Sequence, residues 1–128
     1  KNGAVIDICA RVRQLRNPLW PTSTGHKIDQ NKRVLQYSSG IVSALGVDGA
    51  CDLDIILLGG KTPRVIDAGA RFSGSVGGSV AAGAGFPAQL VRSLLDLPLT
   101  QLAPRNGTVL RPYLTMATIP EINETDLL

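Results

Sequence analysis

The sequence predicts an α+β domain, in which helices pack on one face of a mainly antiparallel sheet. Three stretches support this prediction: an alternating pattern near the N-terminus, a helical pattern over residues 29–45, and two apolar runs joined by a short glycine-containing loop over residues 50–71. Helices packed on an antiparallel sheet form a layered α+β architecture. At 128 residues, we expect a single domain over residues 1–128, which is a fragment or one subdomain of a larger protein.

The first strand is predicted over residues 4–16, where apolar and polar side chains alternate as in a half-buried strand. The guanidinium groups of Arg11 and Arg13 are either a wall that recognises a carboxylate or ordinary exposed strand charges. The apolar face holds Ile6, Ile8, Ala10 and Val12, and the polar face holds Asp7, Cys9, Arg11 and Arg13.

A loop is predicted next over residues 17–27, followed by a helix over residues 29–45. Asp29 is the predicted N-cap, and Gly46 suits the C′ position just after the helix. Gly40 costs a helix about 1 kcal/mol relative to alanine. Its presence therefore indicates close packing at that point.

A β-hairpin is predicted over residues 50–71, with a five-residue connection from Gly59 to Pro63. If Leu58 lies opposite Pro63, Asp54 lies opposite Asp67. Strand side chains alternate between the two faces of a sheet. One face then holds Asp52, Asp54, Asp67 and Arg71, with Gly69 opposite Asp52, and the other holds Leu53, Ile55, Leu57, Ile66, Ala68 and Ala70.

The carboxylates of this hairpin need compensation, because like charges opposite one another destabilise a sheet. Carboxylates that face a site open to substrate phosphates are the usual ligands of Mg²⁺. One interpretation is therefore a Mg²⁺ site with Arg71 as an anion-binding group. The alternative is a solvated outer face whose charges lie in water.

A glycine- and serine-rich stretch over residues 74–85 is predicted to be a loop. Loops of this length are usually functional or disordered, and backbone amides freed by glycine can surround phosphate oxygens. A short helix is expected to open at Pro87. The last strand candidate spans residues 107–116, and Pro112 within it indicates a sheet edge.

Composition excludes several classes of function. The formal charge is +3 without the clustered basic and aromatic residues of a nucleic-acid interface. No apolar run approaches the roughly 20 residues of a membrane span, so we expect neither nucleic acid nor membrane as a partner. Cys9 and Cys51 form no C-x-x-C motif. They are expected to be free thiols in a cytoplasmic protein.

Three motifs between Asp29 and Leu99 occur in a characteristic order. The first is a helix ending in Ala-Leu-Gly, followed by the strand CDLDIIL. The second is RVIDAGARFSG, and the third is a glycine-rich stretch followed by AGFPAQLVRSLL. Together they resemble the C-terminal subdomain of ATP-grasp enzymes, particularly the carbamoyl-phosphate-synthetase-like branch.

The resemblance implies a fold and a reaction. ATP-grasp enzymes hold ATP between two α+β subdomains and use Mg²⁺ (or Mn²⁺) to phosphorylate a small carboxylate, which an amine or thiol then attacks as the acylphosphate. By position, Asp54 and Asp67 would be metal ligands. Arg71 would contact the terminal phosphate or the acylphosphate, where a guanidinium suits phosphate geometry. Asp52 is a candidate additional ligand.

Three positions depart from the family pattern. Gly69 stands where the family has a metal-binding asparagine, Asp67 replaces a glutamate, and Ala70 replaces a proline. The nucleotide-binding lysines and hinge of the family lie upstream of these motifs and are absent. On this resemblance the chain alone would be inactive and would need the missing N-terminal subdomains or a partner chain, with a homo-oligomer as an alternative.

Two alternatives remain open from the sequence. The missing asparagine at position 69 favours a non-catalytic ATP-grasp-like module that binds or assembles. Alternatively, Asp52-Leu53-Asp54 is the D-x-D of a nucleotide-sugar transferase, although the hairpin that follows and the small size argue against it.

Overall fold

The computed structural model describes residues 4–15, 23–100 and 102–111. The fold is α+β, as predicted, and every strand pair is antiparallel. One sheet has the order β1-β2-β5, and the second is the two-stranded hairpin β3-β4. The elements are β1 (Arg11–Leu15), β2 (Ser23–Ile28), α1 (Lys32–Ala44), β3 (Asp52–Leu58), β4 (Thr62–Gly69), α2 (Val76–Ala81), α3 (Phe86–Leu94) and β5 (Val109–Leu110). The predicted loop around Trp20 and the predicted strand beyond Arg111 lie outside the described residues.

The first sheet differs from its prediction at both ends. The first strand begins at Arg11, whereas alternation had predicted a start at residue 4. Alternation selects the faces of a strand but supplies no partner, and residues 4–10 have no ladder partner in the described part of the chain. Conversely, β2 occupies part of the predicted loop. A Cβ at Gly25 would lie 2.6 Å from the carbonyl oxygen of Leu110, so glycine permits β5 to approach.

Helix α1 begins three residues later than predicted. Its N-cap is Asn31, not Asp29, because the Asn31 side chain accepts hydrogen bonds from the backbone N–H groups of Arg33 and Val34 at 3.1 and 3.4 Å. At the other end Gly46 has a φ of +61°, which is the left-handed conformation of a C′ glycine. The predicted C-terminal boundary is therefore confirmed.

Replacing Gly40 and Gly46 by alanine should have opposite effects on stability. No atom lies within 4 Å of a Cβ built on Gly40, so the expectation of close packing there is wrong. Gly40→Ala should raise the free energy of unfolding by about 1 kcal/mol. Gly46→Ala should lower it by about 1 kcal/mol, because its positive φ strains a residue with a Cβ. Urea unfolding of both variants checks this, and a destabilised Gly40→Ala would contradict it.

The hairpin turn is shorter than predicted. Only Gly59, Gly60 and Lys61 separate the strands, and the Lys61 N–H donates to the Leu58 carbonyl at 3.1 Å. Gly59 and Gly60 have φ values of +57° and +69°. Positive φ at both central residues is the mark of a type I′ turn, whose twist matches that of the strands.

The predicted register of the hairpin agrees with the structure at the carboxylates and differs from it at the turn. Asp54 pairs with Asp67 as predicted, but Leu58 pairs with Thr62 and not Pro63. A β-bulge accounts for the difference, because Ile66 is an extra residue between the Asp54–Asp67 and Ile55–Val65 pairs.

Because of this bulge, the apolar face of the hairpin contains other residues than predicted. Ile66 is 63% exposed, and Val65 takes the position opposite Ile55. The half-buried apolar face therefore contains Leu53, Ile55 and Val65, whereas Ala68 is exposed. Ala70 is also exposed and lies beyond the end of β4.

The glycine-rich stretch is not a plain loop, since it contains α2 and supplies most of the core. Ala82 and Ala84 are buried there, together with Ile28 of β2. Small residues allow neighbouring chain segments to approach: a Cβ at Gly85 would lie 2.6 Å from a methyl carbon of Leu102. Close packing therefore explains part of the glycine content. Helix α3 follows, with a proline in its first turn as predicted.

Candidate functional site

The candidate site is the carboxylate-bearing face of the hairpin. Asp54 and Asp67 are direct cross-strand partners, and Asp52 is the partner of Gly69. Asp52 and Asp54 are half-buried, whereas Asp67 is exposed. The structure therefore brings together on one face the three carboxylates that the sequence singled out.

Two arginines flank these carboxylates. Arg13 of β1 donates to Asp54 at 2.5 Å, and Arg71 donates to Asp52 at 3.4 Å. Both guanidinium groups are more than half exposed, so each pair contributes little to stability. Arg71 lies beside the acidic residues as predicted, whereas the sequence left open whether Arg13 reaches them. Asp67 has no arginine partner among the described residues.

Gly69 is covered by the Arg71 side chain. A Cβ at position 69 would lie 3.6 Å from Cγ, Nε and Cζ of Arg71, which is ordinary van der Waals contact. The backbone of Gly69 does not have a positive φ. A side chain at this position is therefore sterically acceptable, although glycine supplies no ligand there.

The carboxylates fit Mg²⁺ in one particular way. Within residues 4–15, 23–100 and 102–111, no group of three or more His, Cys, Asp or Glu side chains is placed to hold a metal ion. Mg²⁺ is commonly bound by one or two carboxylates, with substrate phosphates and water completing its coordination. Asp54 and Asp67 are the directly opposed pair of carboxylates on this face, and Asp54 is paired with Arg13 as Asp52 is with Arg71.

Arg11 connects β1 to the segment that follows the hairpin. Its Nη1 donates to the carbonyl and the hydroxyl oxygens of Ser75 at 2.9 and 2.5 Å, and Nη2 donates to the Ser73 hydroxyl at 2.8 Å. Sequence reasoning did not single out Ser73 or Ser75. The Ser-Gly-Ser sequence directly after Arg71-Phe72 was the available signal.

His26 lies opposite Arg13 in the first sheet and is half-buried, not a solvated loop residue. Burial, together with the charges of Arg11 and Arg13, lowers the pKa of His26 below its ordinary value of 6.5. The imidazole is therefore neutral at pH 7. One ring nitrogen can then donate a hydrogen bond and the other can accept one, without adding charge.

A cavity of about 620 Å³ lies next to this face. Arg11, Arg13 and His26 line it from the first sheet, and Asp54 lines it from the hairpin. The volume is in the range of ligand pockets, roughly 300 to 1,000 Å³. Asp52 and Asp54 of the hairpin therefore border a space that can hold a small molecule, whereas Asp67 is not part of its lining.

Asp7 is a further carboxylate that lines the cavity. It accepts a hydrogen bond from the Gly85 N–H at 2.9 Å, at the start of α3. Burial raises the pKa of Asp7 above its ordinary value of 3.8, although the Gly85 hydrogen bond acts in the other direction. The folded protein therefore favours the protonated acid more than the unfolded chain does.

This raised pKa predicts a pH-dependent effect of Asp7→Asn. The stability that Asp7 contributes is complete below about pH 3.8 and is lost as the pH rises through the raised folded-state value. Asparagine keeps an oxygen for the Gly85 N–H and does not ionise. The unfolding free energy of Asp7→Asn relative to wild type should therefore rise between about pH 3.5 and pH 7. A difference that stays constant or falls in urea titrations at the two pH values would contradict this.

The two cysteines are free and half-buried, as expected. Burial raises the pKa of both the Cys9 and Cys51 thiols. Each is therefore mostly a protonated thiol at neutral pH and is a weak nucleophile.

Comparison of the chain with protein-family models, with curated proteins and with solved structures found no match. Within the described part of the chain, no helix combines the length and apolarity needed to cross a membrane.

Proposed function

We propose that this chain is the metal- and phosphate-binding half of an ATP-dependent ligase of the ATP-grasp type. Such an enzyme activates a small carboxylate as an acylphosphate, which an amine or thiol then attacks. The observation that carries the proposal is the cross-strand pair Asp54–Asp67, with one arginine on each side of the carboxylate face. The motif order noted in the sequence supports the same assignment.

The residues of the face have distinct roles in this proposal. Asp54 and Asp67 would hold Mg²⁺, which when bound offsets negative charge on the transferred phosphoryl group. Arg71 is more than half exposed, and its Nη1 donates to the Phe72 carbonyl at 3.1 Å and to Asp52 at 3.4 Å. Because it is exposed, its guanidinium can turn toward a phosphate, where two parallel N–H groups match two oxygens.

In the same proposal, Arg13 takes the place of the metal ion at Asp54 when no metal is bound. It is paired with Asp54, and this surface ion pair costs little to break. Its positive charge compensates part of the repulsion between Asp54 and Asp67 when no cation is present. A divalent ion would take over that compensation and release Arg13 toward substrate.

Titration calorimetry of ATP, with and without Mg²⁺, into the full-length protein that carries this chain tests the proposal. We expect saturable binding that requires the metal and weakens when Asp54 is replaced by Asn. An Arg64→Gln variant is the control, because Arg64 is exposed on the hairpin and its guanidinium donates, among the described residues, only to the carbonyl of its neighbour Pro63. Absence of Mg²⁺-dependent nucleotide binding would overturn the enzymatic proposal.

A second candidate function is a non-catalytic module that keeps the fold for binding or assembly. Two observations favour it: Gly69 supplies no ligand, and Arg13 already neutralises Asp54. The same titration separates the candidates, because a non-catalytic module shows no metal-dependent nucleotide binding.

A further inference from the structure

The cavity beside the hairpin has one cationic group without a carboxylate partner. Arg11 is half-buried and donates only to oxygens of Ser73 and Ser75 among the described residues. These partners are neutral, so the guanidinium keeps its full positive charge. Arg13 differs, because Asp54 compensates its charge.

The hydrogen bonds of Arg11 leave one edge of its guanidinium open. A guanidinium has five N–H groups, and the three hydrogen bonds to the serines come from Nη1 and Nη2. The N–H of Nε and one N–H of Nη2 have no partner in the described part of the chain. Two parallel N–H groups of this kind match the two oxygens of a carboxylate.

Among the described residues, no carboxylate that lines the cavity forms an ion pair with Arg11. Two of these carboxylates, Asp29 and Asp48, lie before and after α1. Asp29 directly follows Ile28, which is the cross-strand partner of Arg11. Among the others, Asp7 accepts from the Gly85 N–H, Asp52 is paired with Arg71 and Asp54 is paired with Arg13.

The rest of the lining contains a large apolar part. Ile55 of β3, Val42 of α1 and the pair Phe86 and Leu90 of α3 all face the cavity. A fully hydrated ion would leave these side chains against water. A ligand with both an anionic head and an apolar body satisfies both parts of the lining.

We infer that this cavity binds a small monocarboxylate with an apolar body, whose carboxylate is held by the open edge of Arg11. The inference rests on the proposed function, since it names the class of carboxylate that the ligase activates. His26 also lines the cavity and can offer a hydrogen bond to the ligand. Arg11 is then a residue that determines substrate specificity.

Binding of fatty acids to the metal-free full chain, without nucleotide, tests this inference. Octanoate should bind with an affinity that rises about fourfold per added methylene from hexanoate to octanoate. Octanol, which lacks the charged head, should bind at least about tenfold more weakly. Nuclear Overhauser contacts from the alkyl chain to methyl groups of Ile55 and Leu90 should place it in the cavity of the unmodified protein.

Two variants test the role of Arg11. Arg11→Gln should weaken octanoate binding at least about tenfold, whereas Arg64→Gln, which removes the same charge on the hairpin, should leave it unchanged. Equal binding by Arg11→Gln that remains folded, or equal affinity for octanol and octanoate, would overturn the inference. So would absence of the methyl contacts, or displacement of octanoate by inorganic phosphate at equal concentration.

These outcomes are separable from a failure of the proposed function. Octanoate binding is measured without metal or ATP, and nucleotide binding is measured without carboxylate. If the protein binds ATP in a metal-dependent way but does not bind octanoate, only the inference is overturned. If the protein binds octanoate but does not bind Mg²⁺-ATP, only the proposed function is overturned.

Discussion

Asp67→Asn should weaken Mg²⁺-dependent ATP binding by about 100-fold or more while leaving the fold intact. The variant removes one of the two carboxylates of the pair, and even residues that only orient metal ligands typically cost 10- to 100-fold. Folding should survive because Asp67 is exposed and, within the described part of the chain, its side chain accepts a hydrogen bond only from the neighbouring Ala68 N–H. Stability should even rise by a few tenths of a kcal/mol, since the repulsion with Asp54 is removed.

Titration calorimetry and urea unfolding of the same preparation measure both parts of this prediction. Asp96→Asn is a matched control, because Asp96 is an exposed carboxylate after α3. Its φ of +51° is one that asparagine adopts readily. Unchanged affinity in Asp67→Asn would remove Asp67 from the metal site. Loss of folding with metal affinity preserved would mean that the hairpin register is wrong.

Gly69→Asn should increase the affinity for Mg²⁺ by about tenfold, which is what one additional ligand worth about 1.4 kcal/mol provides. Position 69 is directly opposite Asp52 and lies on the same face as Asp54 and Asp67. The space at Gly69 accepts a side chain at ordinary contact distance from Arg71. An asparagine there adds a carbonyl oxygen, a ligand type that Mg²⁺ accepts.

The control for this gain is Gly69→Ala, which fills the same space without an oxygen. Alanine should leave the affinity for Mg²⁺ near that of the wild type. If alanine and asparagine raise the affinity equally, the effect comes from moving Arg71 and not from a new ligand. If neither raises it, the face does not surround a cation, and the non-catalytic function gains support.

The carboxylate face was predictable from sequence because alternation and two matched apolar runs determine which strand residues are opposite one another. The bulge at Ile66 was not predictable in this way, since the extra residue is absorbed locally and leaves the Asp54–Asp67 pair unchanged. The predicted register was counted outward from the turn, with Leu58 opposite Pro63. The short type I′ turn at Gly59 and Gly60 moved the outer half of the ladder by one residue.

Contacts between distant parts of the chain were the least predictable. Alternation placed Arg11 and Arg13 on one face, but only the fold shows that Arg13 reaches Asp54 while Arg11 reaches Ser75. Similarly, the N-cap moved from Asp29 to Asn31 because Asp29 continues the backbone pairing of the first sheet, its N–H donating to the Ala10 carbonyl. Both residue types cap helices well, so local preference could not decide between them.

Paramagnetic broadening by Mn²⁺ tests the central claim, that the hairpin face binds a divalent cation with nucleotide phosphate. With substoichiometric Mn²⁺ and ATP, backbone amide signals of Asp54 and Asp67 should disappear first. The signal of Lys61 should persist longer, because the turn lies roughly 20 Å from Asp67 at about 3.3 Å per residue. Broadening that is uniform, that begins elsewhere in the chain, or that is unaffected by ATP would contradict the claim.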